Sequence, residues 1–169
     1  MSNYNFASLN DKEFESLCTD ILSVHLNTRV ERFKPGKDGG VDGRFFSSDG
    51  DEVIIQCKHW IKSGLPALLR TLENEEIKKI KKLSPKRYIF TTSLPLSREN
   101  KIKIKKIASP YILTEADIFG CEDLNYILSK HEAIEKNHYK LWLSSTNILN
   151  IILHSEIIGR SKHKLNEMK

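Results

Sequence analysis

The segment from Gly36 to Lys58 reads GKDGGVDGRFFSSDGDEVIIQCK and carries more polar chemistry than a simple hairpin requires. Glycine and aspartate dominate its start, and an apolar run that contains Gln56 and Lys58 ends it. Successive side chains of a strand point to opposite faces, so Gln56 and Lys58 share one face while the alternate apolar residues line the other. We therefore expect two polar side chains to project together at the end of a strand.

The register of this hairpin decides whether Asp42 joins them. A five-residue turn over 47–51 places Asp42 opposite Gln56, on the same face. A tight two-residue turn places Asp42 opposite Cys57 instead, because a shift of one residue reverses the face of every side chain. Convergence of the polar residues thus predicts a longer loop or a bulge.

A carboxylate, an amide oxygen and a lysine in this arrangement are suited to metal-dependent hydrolysis of a phosphodiester. Mg²⁺ prefers hard oxygen ligands, usually one or two carboxylates completed by waters and substrate phosphate. Asp42 would supply charge and Gln56 a neutral oxygen, while Lys58 would hold or help to deprotonate the attacking water and offset charge on the phosphate. A second carboxylate is needed, and Glu15 is the best candidate because it flanks the apolar stripe of the first predicted helix.

Each of these residues has a simpler explanation when it is taken alone. Asp42 among glycines is typical of a turn. Lys58 could extend its amine to water while its stem packs, and Glu15 could be a solvated helix residue. The neighbouring Lys37 and Asp38 could contact nucleic acid, although Asp38 is equally well explained as a turn former. The joint pattern favours the active site.

The surrounding elements predict how these residues are positioned. The first helix, Leu9–Leu26, has the clearest start, with Asn10 as N-cap and Glu13 as its capping-box partner. Helix Leu65–Leu83 follows an apolar stripe that includes Glu76. The order of elements predicts an α/β fold, a mixed central sheet flanked by helices. The other predicted strands are Val30–Lys34, Val41–Phe46, Glu52–Lys58, Arg87–Ser93 and Tyr111–Leu113, and the other predicted helices are Ser97–Ala108 and Thr114–Lys130, broken near Gly120.

The pattern becomes continuously helical from His131 onward. It predicts a nuclease domain over residues 1–130 and a C-terminal helical extension over residues 131–169. A segment this apolar must pack on something. It could cover the sheet, form a dimer or lead into a further domain.

Length and composition set the bounds on this chain. Its 169 residues fit about one domain, and its 39% hydrophobic and 29% charged residues are typical of a globular protein. A net charge of +5 and a pI near 9.0 favour an anionic partner. No segment resembles a membrane span or a signal peptide, so we expect a cytoplasmic protein with no membrane partner. The spacing of cysteine and histidine predicts no zinc site, and no glycine-rich nucleotide-binding motif is present.

The motifs also resemble a known family. FESLCTDIL in the first helix, GKDGGVDG, IIQCKHW with its QxK, and the later strand IFTTS are similar, in this order, to the Mrr-like branch of the PD-(D/E)xK restriction endonucleases over about residues 6–128. The resemblance implies a restriction-endonuclease-like fold, dependence on Mg²⁺ with Mn²⁺ as a substitute, and cleavage of double-stranded DNA. Gln56 stands where a Glu is usual in the wider superfamily, which lowers the charge of the metal site, but the Mrr-like branch often has this residue. The implied catalytic residues are Glu15, Asp42, Gln56 and Lys58, of which the first three are the implied metal ligands.

The tail HYKLWLSSTNILNIILHSEIIGRSK is similar to segments that join such nucleases to large NTPase sensors of the antiviral STAND type. This similarity implies the effector of a bacterial or archaeal defence or restriction system, fused to a C-terminal sensor and activated when the sensor oligomerises. A homodimer or higher assembly is expected, because one site cuts one strand. Two alternatives remain: a catalytically inactive nucleic-acid-binding or assembly module with the same fold, and a nuclease that acts on RNA.

Residues beside the catalytic strand are candidates for contacts with the nucleic acid. His59 and Trp60 follow that strand and could contact DNA by charge or by stacking, although Trp60 could equally cap the core. Thr92 and Ser93 end a later strand, where their hydroxyls could reach phosphate, but β-propensity explains the threonine as well.

Overall fold

Four strands form one mixed sheet at the centre of a three-layer α/β fold. The computed structural model describes residues 4–34, 36, 39–144 and 146–167, and it describes residues 142–144 and 146–151 by their backbone alone. The strands, in their order across the sheet, are β1 (Gly43–Phe46), β2 (Glu52–Lys58), β3 (Arg87–Thr92) and β4 (Ile118–Phe119). β1 is antiparallel to β2, and β2, β3 and β4 are parallel to one another. The predicted mixed sheet is thus confirmed.

Helices flank this sheet on both faces. The part of the chain that the structure describes contains α1 (Asp11–His25), α2 (Leu65–Thr71), α3 (Ile77–Leu83), α4 (Arg98–Ile107), α5 (Cys121–Lys130), α6 (Glu132–Asn137), α7 (Tyr139–Ser144) and α8 (Thr146–Glu167). A π turn, Leu72–Glu76, joins α2 to α3, so the predicted helix over this segment is continuous apart from one wider turn. α1 begins as predicted, since Asn10 Oδ1 accepts a hydrogen bond from the Glu13 amide at 2.8 Å.

Hydrophobic cores lie on both sides of the sheet. α1 and α5 pack against Val53, Ile55 and Cys57 of β2. α2, α3 and α4 pack on the opposite face, where β2 contributes Ile54. Because β2 is buried on both faces, Gln56 must find its hydrogen-bond partners within the protein.

The hairpin has the register that brings Asp42 to Gln56. Phe46 pairs with Glu52 across a turn of residues 47–51, which is the longer loop predicted from the sequence. The Asp42 amide donates a hydrogen bond to the Ile55 carbonyl oxygen at 3.2 Å. Asp42 therefore immediately precedes β1, at the position opposite Gln56.

Two of the predicted strands are wrong. In place of strand Val30–Lys34, the described residues form an isolated bridge between Glu31 and Arg44, because the outer edge of the short β1 is paired at this one position. In place of strand Tyr111–Leu113, β4 occupies the edge beside β3. The predicted helix Thr114–Lys130 is therefore wrong before its break near Gly120, where a 3-10 turn, Glu115–Asp117, leads into β4. The Tyr111 carbonyl oxygen accepts a single backbone hydrogen bond from the start of β3 at 2.9 Å.

The C-terminal helices extend the fold, as predicted. Ile134 of α6 and Leu141 of α7 are buried in the same core as α1 and α5. α8 instead exposes its described side chains, including large apolar ones such as Ile157 and Leu165. Among the helices of the described ranges, none combines the length and the apolar character needed to cross a bilayer.

Gly43 allows β1 to approach α1, and a side chain there should destabilise the fold. A Cβ at this position would lie 2.9 Å from Val30 Cγ1 and 3.2 Å from Thr19 Cγ2. We expect Gly43→Ala to lower the free energy of unfolding by about 1–3 kcal/mol in a urea titration, because the packed neighbours must move. Gly64→Ala is the control, since the nearest atom to its new Cβ is Pro66 Cδ at 3.6 Å, an ordinary van der Waals distance. Equal stability of the two variants would contradict this packing argument.

Candidate active site

Asp42 and Gln56 form the centre of the candidate site, beside the middle of the sheet. Asp42 Oδ2 accepts one hydrogen bond from Gln56 Nε2 at 2.9 Å and another from the Cys57 amide at 2.7 Å. The register of β1 and β2, in which Gly43 pairs with Ile55, brings these groups together. Both bonds fix the direction of the carboxylate, and Oε1 remains the atom of Gln56 that could bind a cation.

The Asp42 carboxyl has an unusual affinity for its proton. Burial raises its pKa from 3.8 to about 7, against the opposing effect of the hydrogen bond from the Cys57 amide. The nearby Glu15 carboxylate also raises this pKa, whereas the positive charges of Lys58 and Lys12 lower it. The hydrogen bonds and positive charges around Asp42 therefore do not fully offset the cost of burying its charged carboxylate.

Glu15 approaches Asp42 from the opposite face of the sheet. It lies on α1, which packs against the face of β2 that carries Cys57, and its side chain is 19% exposed. Its Oε2 accepts a hydrogen bond from Lys12 Nζ at 3.0 Å. The structure thus brings Glu15 within electrostatic range of Asp42.

Lys58 is paired with a residue outside the sequence motifs, Glu76 of the π turn between α2 and α3. Its Nζ lies 2.8 Å from Oε1 of Glu76, whose side chain is only 2% exposed. Lys79 Nζ lies 3.2 Å from the same oxygen. A signal for Glu76 was present in the sequence, because a glutamate in the apolar stripe of a helix must find a partner when that stripe is buried.

The chemistry of this group fits a hard divalent cation. Asp42 and Glu15 supply two carboxylates that raise each other's energy when both are charged, and Gln56 adds a carbonyl oxygen. Mg²⁺ is commonly bound by one or two carboxylates, with water and phosphate as the remaining ligands. Among the described residues, no cluster of three or more His, Cys, Asp and Glu side chains is placed to hold a metal.

Four of the residues predicted to contact nucleic acid, His59, Trp60, Thr92 and Ser93, lie at or just after the ends of β2 and β3. His59 stacks on Phe14 at 4.7 Å between ring centroids, and its Nδ1 lies 2.9 Å from Ser93 Oγ. Ser93 Oγ also accepts a hydrogen bond from the Trp60 amide at 2.8 Å. Thr92 is fully buried, and its hydroxyl accepts a hydrogen bond from a loop amide.

These contacts give the polar groups of His59 and Ser93 internal partners, and His59 also lines a cavity at the surface. That cavity has a volume of about 380 Å³ and includes His59, Trp60 and Lys62 in its lining. The predicted contacts of Lys37 and Asp38 lie outside the described residues.

The comparison with known families decides the assignment of this fold. Residues 6–117 match the profile of a family described as "Restriction endonuclease" (Mrr_cat). The chain belongs to this Mrr-like family. Membership confirms the resemblance carried by the sequence motifs, and the mixed sheet with flanking helices is consistent with a restriction-endonuclease-like fold.

A curated relative of this Mrr-like domain is the uncharacterized protein y4cD of Sinorhizobium fredii (strain NBRC 101917 / NGR234). The two sequences are 37% identical over 154 residues. The match covers 91% of this chain and 24% of that protein. The chain therefore spans about a quarter of the length of this relative.

The raised pKa of Asp42 predicts that the metal-free Mrr-like domain loses stability as the pH rises. The folded-state pKa lies above the unfolded value, so the stabilisation is fully present below 3.8 and is lost as the pH passes through about 7. As the pH rises from 4 to 8, the free energy of unfolding of Asp42→Asn should increase by about 2 kcal/mol relative to that of the wild type. This value is reduced to account for the partial exposure of the carboxyl. Urea titrations in EDTA measure this difference.

Asp49→Asn is the matched control, because Asp49 is exposed in the hairpin turn. Its stability should follow the wild type at every pH. A constant difference between Asp42→Asn and the wild type across this range would mean that Asp42 titrates normally.

Proposed function

We propose that this domain is a metal-dependent DNA endonuclease that hydrolyses phosphodiester bonds. The observation that carries the proposal is the convergence on Asp42 of Gln56, Glu15 and Lys58, which hydrogen-bond to its carboxylate or alter its pKa. Membership of the restriction endonuclease family supports DNA as the substrate. The proposed place of action is accordingly the cytoplasm, where bacterial DNA lies.

The side chains have distinct proposed roles. Asp42 and Glu15 would hold the cation through carboxylate oxygens, and Gln56 would both orient Asp42 and offer Oε1. Mg²⁺, or Mn²⁺ in its place, would lower the pKa of a bound water and neutralise charge on the phosphate. Lys58 would place its ammonium beside the scissile phosphate, where it orients the attacking water and stabilises developing negative charge. Water is the nucleophile, so no covalent bond to the protein forms.

Larger assemblies are part of the proposal. Cleavage of both strands of a duplex requires two sites, which favours a homodimer or a higher oligomer. We also propose that the nuclease domain, residues 1–130, is followed by a helical extension, residues 131–169, that connects it to an NTPase sensor in an antiviral defence or restriction system. The exposed apolar side chains of α8 support a role in such contacts, and the much greater length of y4cD supports a larger protein.

Plasmid cleavage tests the proposed activity and its site together. Purified protein should nick supercoiled DNA in the presence of Mg²⁺ or Mn²⁺. EDTA should stop this cleavage. Glu15→Gln should lower the rate about 10- to 100-fold and require more Mg²⁺, because one charged ligand is lost. Glu73→Gln, at an exposed position, should cleave like the wild type. Cleavage that is unchanged by Glu15→Gln would place the activity elsewhere.

A catalytically inactive binding or assembly module is the second candidate. The observation that favours it is that the polar groups already satisfy one another: Gln56 donates to Asp42, and Lys58 pairs with Glu76. A folded wild-type protein that binds DNA but leaves it intact with Mg²⁺ and Mn²⁺ would support this candidate. An RNA substrate, tested in the same assay with single- and double-stranded RNA, is the remaining alternative.

A further inference from the structure

We propose that Glu76 is a positioning residue for Lys58, and that the ion pair between them holds the lysine ammonium in place for phosphodiester hydrolysis. This inference rests on the proposed nuclease function. It adds a residue that lies outside the sequence motifs and that comes from a helix rather than from the strands of the hairpin.

The burial of Glu76 makes its partner important. Only 2% of its side chain is exposed, and Oε1 lies 2.8 Å from Lys58 Nζ. A buried carboxylate that loses its partner is strongly destabilised, whereas an exposed ion pair contributes little. Lys58 retains 23% exposure, so its ammonium is anchored on one side and open to solvent on another. A lysine held in this way can meet a phosphate without first losing its side-chain entropy.

The helix that carries Glu76 is built irregularly at this position. Leu72–Glu76 forms a π turn, in which the Ile77 amide donates to the Leu72 carbonyl oxygen five residues earlier. Glu76 and the next residue, Ile77, are both buried against the sheet. A π turn widens the helix locally, and such turns are frequent at functional sites. The widened turn therefore presents a charged and an apolar side chain to the sheet in succession.

Lys79 connects the same carboxylate to the glycine-rich segment. Its Nζ lies 3.2 Å from Glu76 Oε1. Its stem crosses Gly40, where a Cβ would lie only 3.2 Å from Lys79 Cδ. The side chain of Lys79 is 49% exposed, so it is the weaker of the two partners. Glu76 thereby links the end of β2 to the loop that precedes Asp42.

Tyr88 is a further buried neighbour of Glu76. The Tyr88 hydroxyl is buried and has no hydrogen-bond partner among the described residues. Burial raises the pKa of Tyr88 well above 10, and the nearby charge of Glu76 contributes to that increase. The two lysines are thus the described groups that compensate Glu76, and Lys58 is the closer and more buried one.

The first test separates positioning from binding. Glu76→Gln keeps the shape of the side chain but removes its charge. We expect a rate of single-turnover plasmid cleavage about 30- to 100-fold lower, with the apparent Kd for DNA changed less than about threefold, because a misplaced catalytic group affects the reaction more than binding. Glu75→Gln is the matched control, as this neighbouring glutamate is exposed. An undiminished rate in folded Glu76→Gln overturns the inference.

A thermal double-mutant cycle tests the pairing without any need for activity. Lys58→Met alone should lower Tm by about 5–10 °C, and Glu76→Gln in the same chain should recover part of this loss, because the carboxylate no longer lacks its partner. A double variant whose Tm is no higher than that of Lys58→Met overturns the pairing, and this comparison holds even where Glu76→Gln alone fails to fold.

The two experiments distinguish this inference from the proposed function. If the wild-type protein cleaves neither DNA nor RNA, the proposed nuclease function is wrong. The proposed role of Glu76 in hydrolysis is then wrong as well, even if the double-mutant cycle shows energetic coupling between Lys58 and Glu76. An active wild type combined with an active, folded Glu76→Gln removes only the positioning role.

Discussion

Asp42→Asn should reduce Mg²⁺-dependent cleavage by about 10³-fold, the largest effect expected from any isosteric change in this protein. The substitution preserves the geometry, because Asn Oδ1 can accept the hydrogen bonds that Asp42 Oδ2 receives from Gln56 and Cys57. It removes the negative charge that would hold the cation. Cleavage of supercoiled plasmid under single-turnover conditions measures the rate.

Thermal unfolding in Mg²⁺ provides an independent readout for the same variant. A ligand that binds only the folded state raises the free energy of unfolding by an amount that grows with the logarithm of one plus its concentration divided by its Kd. Mg²⁺ at pH 8 should therefore raise the Tm of the wild type and of the control Asp49→Asn, but not that of Asp42→Asn. Rapid cleavage by Asp42→Asn, together with an unchanged response to Mg²⁺, would remove Asp42 from the proposed site.

Lys58→Met should reduce the rate of cleavage to a similar extent, by about 10³-fold. The variant lacks the positive charge that would stabilise the negative charge developing on the phosphate. This variant should also be less stable by about 2–4 kcal/mol in a urea titration, since it leaves a buried Glu76 carboxylate without its closer partner. The lower part of this range is expected, because Lys79 still lies 3.2 Å from the carboxylate.

The controls separate these two consequences. Lys136→Met, at an exposed position of α6, should change neither the cleavage rate nor the stability. Lys58→Met combined with Glu76→Gln should recover stability but remain inactive. Recovery of cleavage in this double variant would show that Lys58 serves the fold and not the reaction.

The family and the mixed sheet were predictable from the sequence because their determinants are local. The alternation of Gln56 and Lys58 with apolar residues requires only the geometry of one strand. The register that places Asp42 opposite Gln56 requires one short turn, and the observed pairing of Phe46 with Glu52 follows it. The N-cap at Asn10 is similarly decided within a few residues. The catalytic roles of these residues remain predictions.

The errors fall where edges and non-local contacts decide the structure. Strands at the border of a sheet depend on which segment reaches that border, and β4 occupies the place predicted for Tyr111–Leu113. A short apolar segment has no local feature that distinguishes these outcomes. The predicted strand Val30–Lys34 is reduced to one bridge for the same reason.

By itself, the sequence determined the family, the central hairpin and the polar residues at its end, because each depends on residue types and spacing within one or two elements. Only the tertiary structure decided that Glu15 approaches from the opposite face of the sheet, that burial raises the pKa of Asp42 to about 7, and that Glu76 holds Lys58. These last three depend on distances between elements and on the exclusion of water, and neither is encoded in the pattern of a single strand or helix.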